Sequence, residues 1–175
     1  MKLTAHLALA ALLVAGALGC AGGGPRPATD DALRDVPLVT LDGKETNLAT
    51  LIGDRVAVFK FGATWCPPCT RQLAEFNQVR KAYPDDQVAV IDIDAGEPAD
   101  LVRRHARKHG VTFTTVLDPQ GEAARAYGVQ GIPVTIVADR DRTILYRGHY
   151  TPFSKLKPHI DSALDGAADK GAAGS

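Results

Sequence analysis

The sequence predicts an α/β domain in which helices cover both faces of a mixed central sheet. Residues 55–61 and 87–94 are rich in Val, Ile, Phe and Ala, as is typical of strands that are buried on both faces. Apolar residues at helical spacing follow each of these segments, and a hairpin with a further helix ends the domain. This order of elements implies a mixed sheet with helices on both sides.

Turn residues and periodicity predict the other elements. Asp42-Gly43 readily adopts the positive φ angles of a tight turn and predicts a short hairpin. Pro67 is well suited to the first turn of a helix, where its missing N–H costs nothing. In chain order we expect a hairpin over 37–41 and 44–47, helix 48–52, strand 55–61, helix 67–83, strand 87–94, helix 98–109, strand 111–116, helix 122–127, a hairpin over 134–138 and 143–146, and helix 154–164, which Pro158 disfavours.

The composition fits one globular domain and argues against nucleic acid as a partner. The chain has 175 residues, of which 45% are hydrophobic and 23% charged, as in ordinary folded domains. Lys plus Arg and Asp plus Glu number 20 each, so the basic footprint that phosphate contacts need is missing. Three cysteines are too few for a disulfide scaffold, and an odd count leaves one unpaired.

The N-terminus has the pattern of an export signal. Lys2 precedes an apolar run of Leu and Ala that ends in small residues, and this run is short for a retained membrane span. Residues 16–20 resemble a bacterial lipobox, which implies that Cys20 is lipidated. Ala17 stands where most lipoboxes carry Leu, so ordinary cleavage after residues 15–17 stays open. Lipidation of Cys20 would leave one cysteine pair.

Composition shifts divide the chain into four parts. We expect a signal peptide at 1–19, then a lipidated cysteine and flexible tether at 20–35, which is rich in Gly, Pro and Ala. The folded domain follows at 36–164, and an Ala- and Gly-rich disordered tail occupies 165–175.

The segment from Trp65 to Cys69 carries the sharpest chemical signal. Two cysteines three residues apart, where a buried strand passes into a helix, share one side and can form a disulfide. The positive end of the helix dipole favours a thiolate at the first position, so Cys66 is the predicted nucleophile. Cys69, one turn inside and less exposed, is the predicted resolving thiol.

Two alternatives for this pair are weaker. A structural zinc site needs four ligands, and the sequence offers no second pair or recognisable histidine cluster, so we expect no metal and no cofactor. A plain structural disulfide is the other alternative, but placement between strand and helix after a Trp favours redox use.

Three segments resemble the thioredoxin superfamily and, within it, the bacterial TlpA/ResA-like thiol-disulfide oxidoreductases. They are Leu41 to Lys44, Phe59 to Cys69 and Tyr127 to Thr135, and the resemblance covers most of residues 36–164. It implies a thioredoxin-like fold with an N-terminal hairpin and a central insertion around residues 88–109.

The resemblance also implies further site residues. It implies that Pro133 follows a cis peptide bond and lies against the disulfide, and that the backbone of Ile132 offers hydrogen bonds to the substrate. Trp65 is expected to cover one side of the redox site, or to pack at the start of the helix. We therefore group Trp65, Ile132 and Pro133 as substrate-binding residues.

Two positions depart from the family pattern. Thioredoxins place a buried Asp six residues before the first active-site cysteine, where this chain has Lys60. ResA-like proteins carry a Glu three residues after the second cysteine, where this chain has Gln72. We assign neither residue a catalytic role: Lys60 either snorkels from the edge of the sheet, which we favour, or lowers a thiol pKa by its charge.

Other polar residues have ordinary explanations in the sequence. His105 and His109 stand four apart among Arg and Lys residues, which predicts a solvated basic helix face. Asp92 and Asp94 alternate at the end of a strand, where residues often face a ligand, and stay unassigned.

The predicted function is thiol-disulfide exchange at the cell envelope. We expect a monomer, tethered by lipid and facing the periplasm or extracytoplasmic space, with protein thiols and disulfides as partners and a membrane thiol reductase upstream. The resemblance implies substrates such as apocytochrome c or copper-site proteins. Pro67 and Pro68 lack N–H groups that could stabilise a Cys66 thiolate, which favours a reductant or general exchanger over a strong oxidant.

Two other functions remain open at this stage. A peroxiredoxin-like thiol peroxidase would place a Thr three residues before its cysteine, whereas Thr64 lies two before Cys66. A thioredoxin-fold copper chaperone of the Sco kind uses a wider cysteine spacing and a distal histidine, although any thiol pair has some affinity for Cu(I).

Overall fold

A single mixed sheet of seven strands forms the centre of the described part of the chain, residues 31–172 of a computed structural model. The strands are β1 (Pro37–Thr40), β2 (Glu45–Asn47), β3 (Val56–Gly62), β4 (Val88–Asp94), β5 (Thr114–Leu117), β6 (Val134–Ala138) and β7 (Ile144–Gly148). Their order across the sheet is β2-β1-β5-β4-β3-β6-β7. The pairs β3–β4 and β4–β5 are parallel and the other pairs antiparallel, so the predicted mixed sheet is confirmed.

Five helices pack on this sheet within the described residues. They are α1 (Leu48–Ile52), α2 (Pro67–Ala82), α3 (Ala99–Lys108), α4 (Glu122–Ala126) and α5 (Phe153–Ala172). Their positions match the sequence prediction to within a few residues, except at the end of α5. The hairpin turn before β2 contains Gly43 with φ 79°, a left-handed conformation that favours glycine over residues with a Cβ.

Alternate residues of the central strands build two cores. Odd-numbered residues of β3 and β4, among them Phe59 and Ile91, pack with Tyr127 and with buried residues of α1 and α4. Even-numbered residues, among them Val58 and Val90, pack with buried residues of α2 and α5. Because side chains of a strand alternate between faces, the near-continuous apolar runs of β3 and β4 reflect burial on both sides.

Strand β3 lies in the interior of the sheet, between β4 and β6. All seven of its residues are buried. The carboxyl ends of the parallel strands β3 and β4 therefore meet at one edge, and α2 begins there. In open α/β sheets this edge is where ligands and reactive groups collect.

Both ends of the domain extend beyond the predicted limits of 36 and 164. Ala32 forms an isolated bridge to Thr143, and the backbone of Arg34 exchanges hydrogen bonds with the hydroxyl of Tyr127, so the end of the predicted tether at 20–35 packs on the domain. At the other end α5 continues to Ala172, through part of the predicted disordered tail at 165–175. Its alanines have high helix propensity, and Pro158 lies within the helix without ending it.

The predicted signal peptide at 1–19 and the predicted lipidation site at Cys20 lie outside the described residues. Within residues 31–172, no helix combines the length and apolar character needed to cross a membrane.

We predict that Asp118→Ala destabilises the fold. The Asp118 carboxylate is buried and accepts hydrogen bonds from the backbone N–H groups of Ala123, at 3.2 Å, and Ala124, at 2.8 Å, in the first turn of α4. Loss of such an acceptor costs about 1–3 kcal/mol, to be measured as the free energy of unfolding in denaturant. The exposed Asp54→Ala is the control, and an equal stability of the two variants would contradict this role.

Candidate active site

The loop between β3 and α2 places both cysteines at the start of the helix. Cys66 is the N-cap residue, with an extended backbone at φ −95° and ψ 108°, and Pro67 and Pro68 occupy the first helical positions. The backbone N–H of Cys69 donates to Cys66 Sγ at 3.3 Å. The two sulfurs form a disulfide, with the Cα atoms 5.2 Å apart.

A small apolar shell covers this disulfide. Cys66 is 3% exposed and Cys69 1%, and Ala63 and Ile132 pack against them. The peptide bond between Ile132 and Pro133 is cis, and the carbonyl oxygen of Ile132 lies 3.8 Å from Cys66 Sγ. The structure thus brings both cysteines and Ile132 into one site.

Trp65 does not belong to this apolar shell. Its side chain is 71% exposed, the largest exposure of the large hydrophobic residues that the structure describes. The expectation that Trp65 packs at the helix start is therefore wrong, and Ala63 and Ile132 pack against the cysteines instead. An exposed indole beside a reactive pair is available to a partner.

His149 holds the loop that contains the cis bond. Its Nδ1 atom lies 2.9 Å from the carbonyl oxygen of Pro133, and because a carbonyl only accepts, Nδ1 carries the proton. His149 is not predictable from the sequence, since nothing in the order of residues links positions 133 and 149. The antiparallel pairing of Thr135 with Gly148 brings them together.

Lys60 lies beneath the cysteines, buried in the interior of the sheet. It is 2% exposed and forms an ion pair with Asp92, its partner in the register of β3 and β4. The favoured expectation that Lys60 snorkels from an edge is wrong, because β3 has a strand on each side.

Asp94 ends β4 beside this ion pair and is bonded to Glu97. The backbone N–H of Glu97 donates to Asp94 Oδ1 at 3.3 Å. Burial, the side-chain hydrogen bond with Glu97 and the negative charges of Glu97 and Asp92 raise the pKa of Asp94 to about 8, although the backbone N–H of Glu97 acts in the opposite direction. Asp94 is therefore mostly protonated at neutral pH, with a minor ionised fraction.

Glu97 connects Asp94 to the active-site loop. Its carboxylate accepts from the backbone N–H of Thr64 at 2.5 Å and from the Thr64 hydroxyl at 2.6 Å. Burial opposes ionisation of Glu97, but these hydrogen bonds outweigh it and lower its pKa. Glu97 was missed in the sequence analysis because it lies in a loop 33 residues from Thr64.

His105 turns toward the same region from α3. It is half-buried, and its Nε2 atom lies 3.3 Å from the hydroxyl of Thr70. Burial lowers its pKa, and the nearby charges of His109 and Lys60 act in the same direction. The expectation of a solvated basic face is therefore wrong for His105, which belongs to the interior side of its helix.

Several of these groups line a small cavity behind the disulfide. It has a volume of about 10 Å³, close to the space of one water molecule. Cys69 lines it from α2, and the titratable side chains that also line it are Lys60, Asp92, Asp94 and His105.

Gln72 has a structural role. Its side-chain amide donates to the carbonyl oxygen of Thr151 at 2.9 Å and accepts from the Thr151 N–H at 2.7 Å. These bonds fix the segment before α5 onto α2. This agrees with leaving Gln72 without a catalytic role.

Comparison with known proteins identifies the family. Residues 29–147 match the AhpC/TSA family. The chain belongs to the AhpC/TSA family. Among curated proteins it is 32% identical over 130 residues to the thiol-disulfide oxidoreductase ResA of Geobacillus thermodenitrificans, a match that covers 73% of this chain and 74% of that protein.

Solved structures agree with this family. A protein of Chlorobium tepidum, solved as a candidate thiol:disulfide interchange protein DsbE, superposes with a TM-score of 0.68 at 27% identity, over 77% of this chain and 96% of the other. A thiol:disulfide interchange protein of the thioredoxin family from the same organism gives 0.66 at 23% identity, over 79% and 99%, which supports the fold alone. The predicted thioredoxin-like fold and thiol-disulfide oxidoreductase class are confirmed.

We predict that Asp94 makes this family member less stable as the pH rises. In the folded protein Asp94 binds its proton up to about pH 8, whereas in the unfolded chain the proton is lost near 3.8. Between these values the unfolded chain binds fewer protons, so the free energy of unfolding falls with pH. In Asp94→Asn this decline becomes shallower, as denaturant titrations of the oxidised protein at several pH values would show.

The exposed Asp54→Asn is the control for this measurement, and its decline should equal that of the unmodified protein. A decline of the same steepness in Asp94→Asn would show that Asp94 is ionised at neutral pH.

Proposed function

We propose that this protein reduces or exchanges disulfides of partner proteins outside the cytoplasm, with Cys66 as nucleophile and Cys69 as resolving thiol. In the reducing direction, the Cys66 thiolate attacks a partner disulfide, a mixed disulfide forms and the first partner sulfur leaves as a thiolate. Cys69 then attacks Cys66 Sγ, the mixed disulfide breaks and the second partner sulfur leaves. Two electrons pass to the partner, whose two thiolates take up protons from solvent, and the Cys66–Cys69 disulfide remains.

The observation that carries this proposal is the placement of the disulfide. It joins the N-cap of a long helix to the first turn, beside the Ile132–Pro133 segment and next to an exposed Trp65. A polypeptide that binds along this surface would contact Trp65 with its side chains and the backbone of Ile132 and Pro133 with its own backbone. We therefore retain these three as substrate-binding residues.

The two prolines support a reducing role. A Cys66 thiolate at the N-cap can accept from the N–H of Cys69, as Cys66 Sγ does in the disulfide. Pro67 and Pro68 have no N–H to add, although the first turn of a helix is where such donors usually stabilise an anion. A thiolate with fewer donors favours a reductant or general exchanger over a strong oxidant.

The cellular setting of this proposal comes from the N-terminal sequence and the relatives. The signal-like residues 1–19 and the lipobox-like residues before Cys20 support export and lipid anchoring to a membrane, facing the periplasm or extracytoplasmic space. Similar proteins are named as a thiol-disulfide oxidoreductase and a thiol:disulfide interchange protein, which supports protein thiols and disulfides as partners. From the TlpA/ResA-like resemblance of the sequence we further propose apocytochrome c or copper-site proteins as substrates and a membrane thiol reductase as electron source. We propose that the protein acts as a monomer.

Two other functions lack support at the site. Thr64 donates its hydroxyl and its N–H to Glu97, so it is not directed at the Cys66 sulfur as a peroxidase threonine would be. Within residues 31–172, no group of three or more His, Cys, Asp or Glu side chains is arranged to hold a metal ion.

We predict that the reduced protein accelerates the reduction of insulin by dithiothreitol, and that both Cys66→Ser and Cys69→Ser abolish the acceleration. The reaction requires Cys66 to attack and Cys69 to release the partner. Trp65→Ala should lower the rate without loss of the disulfide, because an exposed indole contributes to partner binding.

Unchanged activity in either cysteine variant would contradict the dithiol mechanism. Turnover of hydrogen peroxide faster than free thiols would favour the peroxidase, and tight stoichiometric Cu(I) binding that requires a histidine would favour the copper chaperone. Cys69→Ala traps the mixed disulfide at Cys66 in the native cell, and the trapped protein identifies the partner.

We predict that Cys20 carries the membrane anchor. Cells fed with labelled palmitate should incorporate the label into the full-length protein, and Cys20→Ala should remove the label and release the protein from the membrane fraction. Cys66→Ala is the matched control and should keep the label. A labelled Cys20→Ala protein would contradict lipidation, and an unlabelled parent protein would favour ordinary cleavage after residues 15–17.

A further inference from the structure

A row of polar side chains crosses the sheet directly behind the cysteines. In the register of four neighbouring strands, Thr135 of β6, Lys60 of β3, Asp92 of β4 and Thr115 of β5 stand side by side. They lie on the sheet face that carries α2, since they continue the even-numbered positions of β3 and β4. An apolar row would fill this space without burying charge, and burial of an ion pair is weak evidence for stability. The charges at Lys60 and Asp92 therefore call for a functional explanation.

Gly62 shows how near Lys60 comes to Cys69. A Cβ atom at position 62 would lie 2.5 Å from Lys60 Nζ and 3.4 Å from Cys69 Sγ, so the ammonium and the sulfur border the same point in space. Because Gly62 has no side chain, the Lys60 ammonium can lie close to Cys69. The Lys60 ammonium and a Cys69 thiolate this close together in a protein interior would attract each other strongly.

Asp94 and Cys69 line the same cavity behind the disulfide. Its volume of about 10 Å³ is close to the space of one water molecule, which could carry a proton between them. Lys60 faces it from β3, Asp92 and Asp94 from β4, and His105 from α3. Glu97, bonded to Asp94, is half-buried and connects the cavity toward the surface.

We propose that Asp94, in its ionised form, takes the proton of the Cys69 thiol when the mixed disulfide is resolved, and that the Lys60 ammonium stabilises the Cys69 thiolate. The proposal deepens the thiol-disulfide exchange proposed above and rests on it. Asp92 acts as a positioning residue, because its ion pair with Lys60 fixes the ammonium under Cys69.

Resolution of the mixed disulfide then proceeds by proton transfer and displacement. The Cys69 S–H bond breaks and its proton passes to Asp94 across the cavity. The thiolate attacks Cys66 Sγ, the Cys66–Cys69 bond forms, and the bond from Cys66 to the partner breaks with its electron pair leaving on the partner sulfur. The Asp94 proton then leaves by way of Glu97 to solvent, and the partner thiolate takes up a proton there.

The titration of Asp94 suits this transfer. A carboxyl group whose pKa is raised to about 8 by burial and by Glu97 is matched to a thiol, whose usual value is about 8.5. Proton transfer is efficient when donor and acceptor are matched near the working pH. An ordinary exposed carboxylate would be too weak a base for a thiol.

The role of Lys60 is tested by titrating Cys69 in a Cys66→Ser background. The absorbance of the Cys69 thiolate, measured as a function of pH, gives the midpoint of the Cys69 titration. Lys60→Met should raise this midpoint by about one pH unit or more, since it removes a positive charge beside the sulfur. Lys60→Arg keeps the charge and should give a smaller rise, and Lys155→Met, at an exposed position on α5, is the control.

Gly62→Ala provides a second variant that keeps every charged group. The new methyl would lie 2.5 Å from the ammonium and displace it, so the midpoint of the Cys69 titration should rise here as well. A midpoint that is unchanged in both Lys60→Met and Gly62→Ala, in proteins shown to be folded by circular dichroism, would overturn the role of Lys60.

The role of Asp94 is tested by the rate of resolution. Reduced protein treated with Ellman's reagent releases one coloured thiolate when Cys66 attacks and a second when Cys69 resolves. Asp94→Asn should slow the second release by several-fold to about 100-fold. The rate of the first release should stay unchanged. In this variant the rate of the second release should also lose the part of its pH dependence that comes from the ionisation of Asp94. The midpoint of the Cys69 titration should not rise.

Asp54→Asn is the control for this rate and should release both thiolates as the unmodified protein does. A second release that keeps its rate and pH profile in Asp94→Asn would overturn the proposal for Asp94. These measurements need no physiological partner. The roles of Asp94 and Lys60 can therefore be contradicted while insulin reduction supports the proposed function, and the reverse outcome is equally distinguishable.

Discussion

The pairing of β3 with β4 on one side and β6 on the other is the constraint on which the site depends. Because Phe61 lies opposite Val134, the end of β3 is held next to the start of β6, where Ile132 and Pro133 precede the strand. Because Gly62 lies opposite Asp94, the same strand end is held next to the carboxyl end of β4. One backbone register thus brings the disulfide loop, the cis peptide bond and the buried acid together.

That register also explains how a protein of this family can work with a lysine on β3. The position holds a buried ammonium, and the complementary carboxylate stands on the neighbouring strand, at Asp92. Gly62 leaves room for the ammonium above the strand, and Asp94 and Glu97 extend the polar groups toward the active-site loop. The charged cluster is therefore distributed over two strands and a loop, and no single position of the chain identifies it.

Two surfaces with different tasks meet at the disulfide. Ala63 and Ile132 pack against the sulfurs, and on the inner side a small cavity connects Cys69 to titratable groups. On the outer side Trp65 is exposed. The zero net charge of the chain leaves partner choice to such local features, since no long-range field favours one class of partner.

The sequence by itself determined the fold class, the order of the elements and the cysteine pair, because these depend on local periodicity, on turn residues and on two cysteines three apart. Only the tertiary structure decided the surroundings of Lys60, Asp94, His105 and Trp65. Lys60 was expected at an edge and lies in the interior, because strand order depends on pairings between residues far apart in the chain. His105 was expected in solvent and faces a cavity, and Trp65 was expected to pack and is exposed, because burial of a side chain depends on which elements pack against it. Charge pairs such as Lys60–Asp92 become visible only when two strands are placed in register, and that placement is a property of the whole sheet.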